Sequence, residues 1–327
     1  MERDDRKLAV DAFAWALNIF ASVAIVMVNK QLMGDAGFGF SFATTLCGLH
    51  FLFTATIGCC TNSRKVEDTT ASGEKMRLPP QDLAIFVAVA ACSIISLNLS
   101  LMLNTIGFYQ VCKLAQIPTM CVLEGTFFGK KFSRKVIQAI VVVLAGVGVA
   151  TVADVEMNTG GTVAAVVGVV ATSAQQILVG HMQKKHAITS NFLLAKTSPY
   201  MAGSMLLLGP FMDNFVTGRW VTDFEWNVPS MVCLGVSCFF AVLVNISQYM
   251  CIGRFSAVSF QVIGHVKTCL VFFFGWVVFA APITERNIMG CSLAVAGMMY
   301  YSHATTMASA AGTENTPGAS TTGAAKV

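Results

Sequence analysis

Ten apolar runs, each about as long as a bilayer is thick, leave this chain few ways to fold. They cover residues 11–32, 40–60, 81–103, 106–127, 135–153, 159–183, 190–212, 228–251, 256–280 and 287–307. Crossing roughly 30 Å of hydrocarbon takes about 20 mostly apolar residues, and only a closed hydrogen-bond ladder satisfies the backbone in lipid. Composition agrees: 55% of the 327 residues are hydrophobic and 12% charged, against about a quarter charged in a soluble domain. The expected fold class is therefore an all-α integral membrane protein of ten transmembrane helices. The stretch "TNSRKVEDTTASGEKMRLPPQ" separates the second run from the third, and "GKKFSR" the fourth from the fifth.

Lysine and arginine placement sets the orientation. With the N-terminus cytosolic, the cytosolic segments hold Arg3, Arg6, Lys7, Arg64, Lys65, Lys75, Arg77, Lys130, Lys131, Arg134, Lys135, Lys184, Lys185, Arg254 and Lys326, against Arg219 and Arg286 on the other side. Both termini are thus expected in the cytosol. The N-terminal "MERDDRKLAV" mixes acids with bases, unlike a transit peptide, and the first run is long enough to stay as an anchor. A net charge of +4 leaves no nucleic-acid footprint. The eleven cysteines form neither a Cys-x-x-Cys pair nor a Cys/His cluster, so no metal site is indicated. The tail from Ala308 is low in complexity and expected to be disordered.

An internal repeat is visible at an offset of 151. "FYQVCKLAQIPT" from Phe108 meets "SFQVIGHVKTCL" from Ser259, "LAG" at 144–146 meets "VAG" at 295–297, and "VNKQ" at 28–31 meets "VGHM" at 179–182. Five spans per copy is an odd number, so the second copy must be upside down. The expected organisation is a cytosolic N-terminus (1–10), two inverted five-helix repeats (11–153 and 159–307) and a disordered cytosolic tail (308–327). Inverted repeats are the architecture of secondary transporters, whose substrate site lies near mid-membrane at the repeat interface.

Polar residues inside the spans mark the candidate site. Lys267 falls near the middle of the ninth span, where a charge costs a few kcal/mol or more; it reads as a substrate contact rather than structural glue. Glu124, the only acid read as well inside a span, would be the partner if it were glue. Lys113 in the fourth span reads the same way, and the two lysines together would make a cationic well for an anion. Lys30 and Lys196 lie nearer span ends, where snorkelling to the interface is the competing reading. His265 is either a hydrogen-bonding pore residue or a helix-packing histidine, and both readings stay open. Gln110, Gln175, Gln176 and Gln261 can bond between helices. Tyr109, Tyr200 and Tyr249 can stack on a base or sit at the interface. Asn98 and Asn245 open sequons that lie in spans and should carry no sugar. No Gly-x-Ser-x-Gly, His-Glu-x-x-His or intramembrane Asp pair is present; no catalytic residue and no cofactor are expected.

The segments "VNKQLM", "FYQVCKLAQIP" and "SFQVIGHVKT" resemble those of the nucleotide-sugar/triose-phosphate translocator family, within the drug/metabolite transporter superfamily. The resemblance covers residues 10–307, and the Lys267–Thr268 pair is its most specific part. It implies antiport, with Lys267 on the substrate phosphate and Thr268 beside it. Plastid phosphate translocators carry Lys-Arg here, and a hydroxyl does not replace a guanidinium fork. The Lys-Thr branch is similar to UDP-xylose and UDP-galactose/UDP-rhamnose carriers. The resemblance therefore implies import of a UDP-sugar into the Golgi, or the ER, against UMP. A plastid-type phosphate exchanger and a non-transporting receptor or scaffold are the rival readings. The candidate substrate-binding set is Lys267, Thr268, Lys113, Gln261, His265, Tyr109, Gln110, Asn29, Lys30, Asn245, Tyr249 and Lys196. The expected partners are the UDP-sugar and UMP as exchanged substrates and the lipid bilayer, with a homodimer left open.

Overall fold

Each apolar run matches one helix, overrunning it by three residues at most, in the computed structural model, which describes residues 2–34, 37–62, 76–104, 106–151, 158–279 and 285–314. Residues 152, 153 and 280 of the fifth and ninth runs lie outside the described ones. The helices are α1 (Glu2–Met33), α2 (Ala43–Asn62), α3 (Pro80–Leu103), α4 (Ile106–Phe128), α5 (Arg134–Thr151), α6 (Thr159–Lys185), α7 (Ser190–Thr217), α8 (Val228–Arg254), α9 (Ala257–Phe279) and α10 (Glu285–Glu314). No strand occurs among the described residues. Several helices outrun the apolar runs that predict them: α1 begins at Glu2, α7 continues to Thr217 and α10 to Glu314. The last of these makes part of the expected disordered tail helical, and residues 315–327 lie outside the described ones.

Local chemistry sets the helix starts. Asn158 accepts from Gly161 N (3.1 Å) at α6, and Thr189 accepts from Phe192 N (3.2 Å) at α7. At α8, Asn227 accepts from Ser230 N (2.8 Å) while the Ser230 hydroxyl lies 3.2 Å from Asn227 N, a reciprocal box. The start of α2 is capped from another helix. The buried Asp213 of α7 accepts from Thr44 N at 2.9 Å and Thr45 N at 2.8 Å, satisfying donors that the helix itself cannot. Gly218, at φ 68, ends α7 in the left-handed region.

Among the described residues, four helical stretches are long and apolar enough to cross a membrane on length and composition alone: Leu8–Met33, Pro80–Ser100, Thr159–Lys185 and Val228–Arg254. In α7, Lys196 and Asp213 interrupt the apolar sequence of the helix. In α2 the described apolar part, Ala43–Gly58, is shorter. Large apolar side chains, including Phe20, Phe127, Leu207 and Phe215, are exposed on the outer surface, where lipid rather than water suits them.

The helix contacts have an internal pattern. Helix α1 packs on α8 and α3 on α6, while α2 packs on α7, α4 on α9 and α5 on α10. Moving every helix number by five maps this list onto itself. The α5–α10 crossing repeats the pattern at residue level. A Cβ at Gly146 would lie 2.3 Å from Ala294 N, and one at Gly297 would lie 2.7 Å from Val143 N. The glycines are 151 apart, and so are Val143 and Ala294. Each helix thus presents to the other the same glycine notch against the same backbone nitrogen.

Candidate functional site

The helix pairs enclose a cavity of about 370 Å³ lined by Ser22 and Val26 of α1, Lys113, Leu114 and Gln116 of α4, Val147 of α5, and Phe260, Gln261, Gly264, His265 and Lys267 of α9. Four of the sequence candidates, Lys113, Gln261, His265 and Lys267, therefore meet in one place. Helix α9 supplies two faces to it: positions 260, 264 and 267 share one by their spacing of four and three, and 261 and 265 share the next. Lys267 is the eleventh residue of the 23-residue α9, at the middle of the helix.

The floor of the cavity is a glutamine cluster. Gln261 Nε2 donates to Gln116 Oε1 at 3.1 Å and to Gln176 Oε1 at 3.0 Å, tying α9 to α4 and α6. His265 is 7% exposed, and its Nε2 has no hydrogen-bond partner. A buried polar atom left unpaired costs about 1–3 kcal/mol, so a packing histidine normally has a partner. The Lys267 ammonium sits 4.7 Å from the centre of the Phe260 ring.

Among the described residues no carboxylate pairs with Lys267. Glu124, its expected partner on the glue reading, instead binds Lys130 at 2.5 Å. The chain turns back at Gly129, φ 62, so that Lys130 reaches the end of its own helix. Glu124 is also not the only buried acid in a helix, since Asp213 is 2% exposed. The other described acids in ion pairs are Asp82, with Lys185 (2.9 Å) and His186 (2.6 Å), and Asp11, with Arg254.

The remaining candidates lie elsewhere. Asn29 accepts from the Ser237 hydroxyl at 2.5 Å, joining α1 to α8. With that proton committed, the contact between His50 Nε2 and Ser237 Oγ (2.9 Å) makes His50 the donor. Asn245 Nδ2 donates to Thr54 Oγ1 at 3.0 Å, between α8 and α2. Tyr249 is 3% exposed, its hydroxyl 3.3 Å from Thr197 Oγ1. Lys196 is exposed with its ammonium over the Phe192 ring at 5.4 Å, and Lys30 is exposed in the last turn of α1. The side chains of Tyr109, Gln110 and Thr268 lie outside the described ones. The other lining residues escaped the sequence reading, Gln116 and Phe260 among them. Gln116 follows Lys113 by three, a spacing that puts both on one face and could have flagged it. Phe260 gave no such signal.

The model of the Triose-phosphate Transporter family matches residues 8–302. UDP-rhamnose/UDP-galactose transporter 2 of Arabidopsis thaliana is 47% identical over 93% of this chain and 86% of its own length. UDP-xylose transporter 3 of the same organism is 40% identical over 89% of this chain and 79% of its own. A solved crystal structure superimposes with a TM-score of 0.66 at 14% identity, covering 88% of this chain and 98% of the other; at that identity it speaks for the fold alone.

Proposed function

The chain belongs to the Triose-phosphate Transporter family, whose close members here are membrane transporters, and from that premise we propose that it is a nucleotide-sugar antiporter. It carries a cytosolic UDP-sugar into the Golgi or ER lumen against UMP by alternating access. The observation that carries this reading is Lys267, an ammonium at the middle of a membrane helix, in a cavity with a second lysine and, among the described residues, with no carboxylate paired to it. A buried cation left unpaired is costly, and the group that relieves the cost is an anion from outside the protein. Relatives at 40–47% identity are transporters of UDP-sugars, which supply such an anion in their phosphates.

On this reading the ten helices are two inverted repeats, with both termini in the cytosol. The self-mapping helix contacts and the paired glycine notches at an offset of 151 support the repeat. The bias of lysine and arginine toward the N-terminal side supports the orientation. Lys267 and Lys113 take the phosphates. His265 and the glutamine cluster face the uncharged part of the substrate, and Thr268 adds a hydroxyl beside Lys267. Closing the empty cavity would strip water from an uncompensated ammonium, while substrate or product removes that penalty. Obligate exchange follows from the same charge that binds.

The test is uptake of labelled UDP-sugars by proteoliposomes preloaded with UMP. Exchange should need internal nucleotide, and Lys267→Ala should abolish it while leaving folding and targeting intact. Uptake without internal nucleotide would sink obligate exchange, and uptake of triose phosphate but no UDP-sugar would move the protein to the phosphate exchangers. A folded Lys267→Ala protein exchanging at the normal rate would remove Lys267 from the site.

A further inference from the structure

Phe260 has a place in the cavity that its residue type does not announce. It precedes Lys267 by seven residues, two helical turns, and so shares a face with it. The lysine stem runs back toward the start of α9, and its ammonium lies 4.7 Å from the ring centre. Gly264, between them on that face, lines the cavity without a side chain. The ring itself is fixed: Phe260 is 6% exposed and stacked on Trp15 of α1 at 6.1 Å and 19°. Trp15 in turn packs on Phe255, the residue that follows α8, at 5.3 Å.

We propose that Phe260 is a positioning residue, whose ring holds the Lys267 ammonium in the empty carrier and delivers it preset to the substrate phosphate. The inference rests on the proposed role of Lys267 as the phosphate contact. A lysine side chain has four rotatable bonds, and an unheld ammonium would lose orientation each time the substrate leaves. A carboxylate would hold it more firmly but would compete with the phosphate for the same charge. An aromatic face avoids that conflict. Its quadrupole attracts the cation, by an amount that varies with solvation, and repels an anion. The ring therefore steadies the lysine without mimicking the ligand, and Trp15 keeps the ring from turning away.

The experiment measures UMP affinity, by calorimetry on the purified full chain, for the wild type, Phe260→Leu, Lys267→Met and the double variant. Phe260→Leu keeps apolar bulk and removes the face, and should weaken UMP binding roughly two- to tenfold, the cost of ordering a free lysine side chain on binding. Phe260→Tyr should restore wild-type affinity. In the Lys267→Met background Phe260→Leu should cost nothing further, because the two residues act through one contact. Unchanged affinity in Phe260→Leu, or losses that simply multiply in the double variant, would overturn the positioning role and leave the phosphate role of Lys267 standing. Unchanged affinity in Lys267→Met would overturn both. If Phe260→Leu does not fold, trifluorophenylalanine introduced at 260 keeps the ring's shape and drains its face of negative charge. The same loss must then appear, and its absence overturns the proposal.

Discussion

Replacing Asp213 by alanine should loosen the start of α2 and with it the junction of three helices. The Asp213 carboxylate is 2% exposed and accepts from Thr44 N and Thr45 N at 2.9 and 2.8 Å. Thr44 Oγ1 in turn accepts from Asn98 Nδ2 of α3 at 3.1 Å, so α7, α2 and α3 meet at one cap. Two backbone donors at the positive end of a helix and a negative acceptor make hydrogen bonds that contribute about 1.5–3 kcal/mol each. Alanine removes both and leaves the donors buried. Water entering the gap recovers part of the loss, so the net cost should be about 3–5 kcal/mol. Asparagine keeps one acceptor oxygen and turns an amide NH₂ toward the other donor, so Asp213→Asn should cost about half as much. The assay is heat-induced loss of the monodisperse peak in detergent, followed by size exclusion. The apparent melting temperature should fall from wild type to Asp213→Asn to Asp213→Ala. An alanine variant melting within about a degree of wild type, far less than a loss of that size gives, would show that the cap does not hold α2.

Lys113→Ala should weaken the binding of UMP and of UDP-sugar alike, since both carry phosphate; unchanged binding of both with lowered thermal stability would make Lys113 structural. Gly146→Val should separate α5 from α10, because its Cβ would lie 2.3 Å from Ala294 N and 2.8 Å from Gly290 O, backbone atoms that cannot swing aside. The expected loss is at least about 1–3 kcal/mol, and normal yield with an unshifted melting temperature would refute the close approach.

The ten helices were legible because length and apolar character are local properties of a sequence, and lipid leaves the backbone no alternative to a helix. Their ends were not, since α1, α7 and α10 continue beyond the hydrocarbon-length runs that predict them. The meeting of Lys113, Gln261, His265 and Lys267 in one cavity was legible for an energetic reason: polar groups are expensive in a membrane span, so those that persist tend to share a purpose. The partner that Glu124 does have was not legible. Lys130 lies six positions downstream, past the helix end, and reaches back only because Gly129 adopts a left-handed turn. Asp213 sat one residue beyond the expected end of its span. Phe260 is one of 24 phenylalanines, and nothing in a sequence separates a ring that faces an ammonium from one that faces lipid.

The described acids held by ion pairs or caps within the bundle bear on why the cavity lysine meets a ring instead of a carboxylate. Glu124 is held by Lys130, Asp82 by Lys185 and His186, Asp11 by Arg254, and Asp213 by the start of α2. Each is engaged with a group outside the cavity. A carboxylate beside Lys267 would form a buried pair and lower the cost of closing the carrier empty. It would also have to be displaced before a phosphate could bind. A phenylalanine attracts the ammonium far more weakly than either anion would, so the empty cavity stays charged and the substrate remains the better partner. On the proposed reading, tight coupling of exchange requires this imbalance. On that reading the placement of the described acids away from α9 is part of the mechanism, as the lysine is.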